Sequence, residues 1–134
     1  MSLDNYLEQR GVRIMEGYSQ QVPGQVSDLI ELTKSNCPIN VMEIGFNSGF
    51  STLLMLISNT NMHITCFDLG EHSYTLPCYE KIKETFGDRI SIVIGDSTKT
   101  LQDFSGIFST QKNNTCWYKK NLWWYSKVDG VTMP

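Results

Sequence analysis

The chain has 134 residues, 40% hydrophobic and 19% charged, with a formal net charge of −3 and a pI near 5.3. That length suits one domain able to bury about two-thirds of its unfolded surface, and the composition excludes a disordered chain. The acidic balance gives no basis for nucleic acid as a partner, no window approaches the roughly 20 apolar residues that cross a bilayer, and the N-terminal MSLDNYLEQR lacks the apolar run of a secretion signal.

Leu3, Leu7 and Ile14 give a weak helical hint over residues 3–15, and Pro23-Gly24 marks a turn after a polar segment. Val26, Leu29, Ile30 and Leu32 then recur at helical spacing, which predicts a helix from Gly24 to Lys34 that stops before Pro38. Asn40–Ile44 is a short apolar run closed by a carboxylate and a glycine, the pattern of a buried strand. Phe50–Ile57 is apolar and follows Asn47-Ser48-Gly49, residues suited to a helix start. His63–Asp68 reads as a second strand. Tyr74–Phe86 reads as an amphipathic helix through Tyr79, Ile82 and Phe86, with Gly87 placed to cap its end. Arg89–Ile94 reads as a third strand, closed by Gly95-Asp96.

This alternation is the signature of a parallel sheet with right-handed crossover helices. The expected fold is therefore α/β, a Rossmann-like parallel sheet, incomplete at about three or four strands of the usual seven. Residues 108–134 differ from the rest. Residues 1–107 carry 7 Lys+Arg against 13 Asp+Glu, whereas 108–134 carry four lysines against Asp129 alone. Trp117, Trp123 and Trp124 all lie in that tail, which shows no convincing periodicity and offers one candidate strand at Leu122–Val128. The chain thus divides into a cofactor-binding half, 1–107, and a divergent tail, 108–134, expected to be poorly ordered.

Cys37, Cys66, Cys78 and Cys116 form no CxxC pair, and neither histidine stands at metal-ligand spacing from them, so no metal is expected. Without a secretion signal, reduced thiols and a cytoplasmic location are expected.

The chemistry concentrates in Glu43-Ile44-Gly45-Phe46-Asn47-Ser48-Gly49, between a strand and a helix. Gly45 lets the chain turn tightly and a ligand approach the backbone. Gly49 permits close contact at the helix start, where free amides receive polar ligand atoms. Glu43, Asp68 and Asp96 (beside Ser97) each end a strand and would line one crevice at the C-terminal edge of the sheet. Asp68, 23 residues after Gly45, stands where an acid reaches ribose hydroxyls. A dinucleotide fingerprint would be GxGxxG, and Asn47 occupies the place of its middle glycine; no GxxxxGK[ST] motif occurs. His63 and His72 read as surface or supporting histidines. Tyr74 could border a nucleobase, and for Tyr79 packing is an equal reading.

NVMEIGFNSGFSTLLML, ITCFDLG and ISIVIGDSTKTL together resemble the class I S-adenosylmethionine-dependent methyltransferases, nearest to their small-molecule O-methyltransferase-like branch, over about residues 20–105. The resemblance implies S-adenosyl-L-methionine as cofactor and a small-molecule methyl acceptor. It implies that Gly45, Phe46, Asn47, Ser48, Gly49 and Ser51 bind the cofactor, the Gly45–Gly49 turn wrapping its methionine portion. It further implies that Glu43 shapes the amino-acid pocket, that Asp68 binds the ribose, and that Asp96 and Ser97 lie near the adenine. A fourth strand is expected near residues 107–112, ending in an acid. The chain has no such run there, and the family's acceptor-positioning residues come from the part that follows, so the sequence reads as truncated or frame-shifted after Ile107. Two alternatives stand beside this reading: an inactive or interaction protein that self-associates through an exposed sheet edge, and a fragment of an NAD-binding dehydrogenase.

Overall fold

The computed structural model describes residues 2–12, 22–35, 40–104 and 115–119. Helix α1 spans Leu3–Gln9 and α2 spans Pro23–Ser35. Strand β1 is Asn40–Ile44, followed by α3 at Phe50–Ser58 and β2 at His63–Asp68. Helix α4 is Thr75–Phe86, a single 3-10 turn covers Gly87–Arg89, and β3 is Ile90–Ile94. Helix α5, Ser97–Asp103, and strand β4, Thr115–Lys119, complete the set.

The four strands form one parallel sheet in the order β3-β2-β1-β4. Chain order runs outward from β1 to β3 and then returns to the other side of β1. The order therefore reverses between β1 and β4, and ligands of open α/β sheets bind outside the carboxyl ends of the strands at such a point. Register sets the site: Glu43 stands beside Cys66, and Ile44 beside Phe67.

One face of the sheet carries the core. Val41, Ile64, Cys66 and Ile90 pack there with Leu3, Leu7, Leu29, Phe50, Met55, Leu56, Cys78, Tyr79 and Ile82 from α1–α4. Arg89 ties the far end of that layer together, donating to the carbonyls of Leu56 and Asn59 at the α3 terminus and of Met62 before β2. On the opposite face Phe67 is fully buried, its ring edge-on to Phe104 just past α5 at 5.2 Å.

The tail adds one strand to the sheet. Thr115–Lys119 is a strand hydrogen-bonded along β1, so the change in charge near residue 107 is not the edge of the sheet. Thr115, Trp117 and Tyr118 are strand-favouring residues, in a run too short to declare itself by alternation. The other candidate strands, 107–112 and 122–128, lie outside the described residues. Helix α5 was also unforeseen, although Asp96 followed by Thr98 is a cap signature. The third strand starts one residue late because Arg89 closes the 3-10 turn.

Candidate cofactor site

The turn from β1 to α3 alternates left-handed backbone: φ is +89° at Gly45, +56° at Asn47 and +81° at Gly49. Asparagine is among the few side chains that adopt this region readily. Asn47 thus keeps the backbone that a middle glycine would supply. The two glycines are needed for different reasons. A Cβ on Gly49 would lie 2.5 Å from Phe46 Cζ and 2.7 Å from Ile82 Cδ1, whereas one on Gly45 would meet nothing within 4 Å. Gly49 lets the turn seat on α4; Gly45 leaves open space above the strand end.

Asp68 joins the turn to β2. Its Oδ2 accepts the Asn47 amide at 2.8 Å and its Oδ1 accepts the Gly70 amide at 2.8 Å. A carboxylate offers about four lone-pair positions, so each oxygen retains one for a ligand hydroxyl. Further support comes from the Gly45 amide donating to the Phe67 carbonyl at 2.7 Å and the Gly95 amide to the Asp68 carbonyl at 2.8 Å.

Glu43 and Ser51 face inward. Both are fully buried. Ser51 Oγ donates to Glu43 Oε1 and Thr52 Oγ1 to Oε2, and Cys66 Sγ donates to Oε2 at 3.7 Å. The carboxyl therefore sits beneath the turn, joined to the first turn of α3. Burial pushes the Cys66 thiol well above its ordinary pKa, with the neighbouring Glu43 adding to it.

Polar atoms of the turn itself are left over. Asn47 Oδ1 and Ser48 Oγ are buried without a hydrogen-bond partner, as are Tyr74 OH and Thr75 Oγ1 at the start of α4. Buried polar atoms are nearly always paired, so such a group marks a place that a ligand or water completes.

Asp96 differs. It is exposed and caps α5, its Oδ1 accepting the Thr98 amide at 2.9 Å and the Thr98 hydroxyl at 2.7 Å. Those two donors, the hydroxyl foremost, hold its carboxyl below the usual range. Ser97 is the first residue of α5 and half-buried. Phe46 is fully buried with its ring edge-on to Tyr79 at 6.2 Å, so both pack behind the turn. His72 stacks on Tyr74 at 4.9 Å, and His63 lies at the opposite edge of the sheet, at the start of β2. Sequence reasoning singled out the turn and Asp68, which the structure joins, but not Thr52, Cys66 or Thr75, whose only signal was small polar side chains inside apolar runs. Among the described residues no helix is long and apolar enough to cross a membrane.

No family model matches the sequence, and no curated protein matches it. Solved structures do match. A cofactor-bound protein from MTB, Rv0187, aligns at a TM-score of 0.59 and 18% identity, over 78% of this chain and 46% of its own. An O-methyltransferase from Bacillus cereus in complex with SAH gives 0.58 and 16%, over 75% and 44%. The SAH-bound Podospora anserina methyltransferase PaMTH1 gives 0.56 and 20%, over 78% and 45%. The chain spans less than half the length of each of these solved chains. Over the part it covers, the chain has the fold of these solved structures, two of which are methyltransferases with SAH bound.

Proposed function

We propose that this chain binds S-adenosyl-L-methionine at the β1–α3 turn and serves methyl transfer to a small-molecule acceptor. One observation carries the reading: two buried side-chain atoms of the turn, Asn47 Oδ1 and Ser48 Oγ, lack partners beside a half-buried Asp68 at the point where strand order reverses. The donor set fits the cofactor. Asn47 Oδ1 can only accept a hydrogen bond, which suits an ammonium, and the open space over Gly45 admits a chain against the backbone. Asp68 would take the ribose hydroxyls on its remaining lone pairs, and the start of α5, capped by Asp96, would border the adenine at Ser97.

The methyltransferase structures with SAH that share this fold support the same assignment. Charge supports it over a dinucleotide. From Ser35 to Glu80 the chain has no Lys or Arg, so the β1–α3 turn itself offers a pyrophosphate backbone amides and no cation. When bound, the cofactor supplies a methyl group made electrophilic by its sulfonium. This chain's residues hold and orient it, and alignment of the acceptor would provide most of the acceleration.

Calorimetric titration with S-adenosylhomocysteine and with NAD tests the reading. Saturable heat with the first and none with the second is expected. The reverse would replace it with the dehydrogenase alternative, and no binding of either would remove both.

A further inference from the structure

The cofactor turn has no cap of its own. Gly49 stands at the N-cap of α3 without a side chain to accept the first amides, and the first turn of α3 holds no acid. What fixes this helix start is Glu43, reaching up from β1 to the hydroxyls of Ser51 and Thr52 at the second and third helical positions. Thr52 Oγ1 also lies 3.5 Å from Cys66 Sγ on β2, and that thiol donates to the same Glu43 oxygen. Glu43, Ser51, Thr52 and Cys66 are each fully buried.

Three elements therefore meet at one carboxyl directly below the ligand-facing turn. The Ser51 bond gives the start of α3 one polar anchor on that carboxyl. The Thr52–Cys66 pair on the other oxygen supplies the second point, tied to the strand that ends in Asp68. The rotation of α3 in turn sets where Asn47 and Ser48, just ahead of it, present their atoms. In such a network removal of one donor leaves a buried acceptor incomplete and displaces its neighbours.

We propose that Thr52 and Cys66 are positioning residues for the cofactor turn, acting through Glu43 without touching the ligand; this rests on the cofactor reading above. Thr52→Val keeps the side-chain shape and deletes the hydroxyl, and Thr52→Ser keeps the hydroxyl. On the full chain, calorimetry with S-adenosylhomocysteine should show about a tenfold loss of affinity for Thr52→Val, the equivalent of one hydrogen bond. Thr52→Ser should restore affinity to near that of the unsubstituted chain, a rescue that loss of packing would not give. Equal affinity in Thr52→Val and the unsubstituted chain overturns the proposal.

Should Thr52→Val not fold, alkylation of the unsubstituted chain by N-ethylmaleimide, mapped by mass spectrometry, decides instead. Bound S-adenosylhomocysteine should slow modification of Cys66 more than that of Cys78, a buried thiol on α4; equal slowing overturns the proposal. An unsubstituted chain that binds no S-adenosylhomocysteine overturns the cofactor reading and this proposal with it. Binding that is indifferent to Thr52 overturns the positioning role alone.

Discussion

Two strand-to-helix turns stand at the same edge of the sheet, one leading from β1 into α3 and the other from β3 into α5. Each leaves its strand through a glycine of positive φ, Gly45 at +89° and Gly95 at +142°. At the β3 turn Asp96 caps its own helix, and both donors to its Oδ1 come from Thr98. The β1 turn is anchored from below by Glu43 and carries two buried polar atoms with no partner. An acid at a strand end looks the same in either sequence context. What separates them is placement: exposed Asp96 accepts only from Thr98 of the helix it caps, whereas half-buried Asp68 also holds the neighbouring β1 turn at Asn47.

The largest expected effect tests the anchoring. Gly49→Ala combines a left-handed backbone with a Cβ 2.5 Å from Phe46 Cζ, which should cost about 3 kcal/mol or more in urea unfolding. An unchanged midpoint would mean that the turn can move off α4. Asp68→Ala comes next. Losing both the tie to the turn and the ribose acceptors should weaken S-adenosylhomocysteine about 10- to 100-fold in calorimetry. Unchanged affinity would take Asp68 out of the site.

Gly45→Ala sharpens the contrast between the two glycines. Its Cβ meets no protein atom, so stability should fall only by the backbone strain, about 1–2 kcal/mol. Cofactor affinity should fall further than stability does, because the new methyl enters the ligand's space. A variant that binds normally would show that this space is unused.

Asp96→Ala is the smallest effect and the counterpart of Asp68→Ala: a slight drop in melting temperature with affinity little changed. Its pH dependence has a definite sign. The folded carboxyl titrates below its ordinary value of 3.8 because Thr98 donates to it, so its stabilisation is present above that value and disappears as pH falls through the lower folded one. The melting difference between Asp96→Ala and the unsubstituted chain should therefore shrink in acid; a difference that grows would contradict the cap assignment.

Strands β1–β3 and helices α2–α4 were readable because those strands are largely apolar, α3 is an apolar run, and α2 and α4 hold a periodic stripe, so β1 and β2 fell where expected. The glycine turn was readable for the same local reason, since few residues other than glycine and asparagine occupy positive φ. Three features were not. Strand β4 owes its place to hydrogen bonds with β1, a non-local partner that five residues cannot announce. The inward turn of Glu43 depends on Thr52 and Cys66, which lie 9 and 23 residues away. Asp96 matched the expected acid position, and only its geometry with Thr98 revealed a cap.

The most direct test of the site is the amide spectrum of the nitrogen-15-labelled chain during titration with S-adenosylhomocysteine. The amides of Asn47 and Gly70, the two that Asp68 holds at 2.8 Å, should shift most, with Gly45 close behind and His63 at the far edge unmoved. Shifts centred elsewhere, with Asn47 and Gly70 unchanged at saturation, would contradict the placement of the cofactor at this turn.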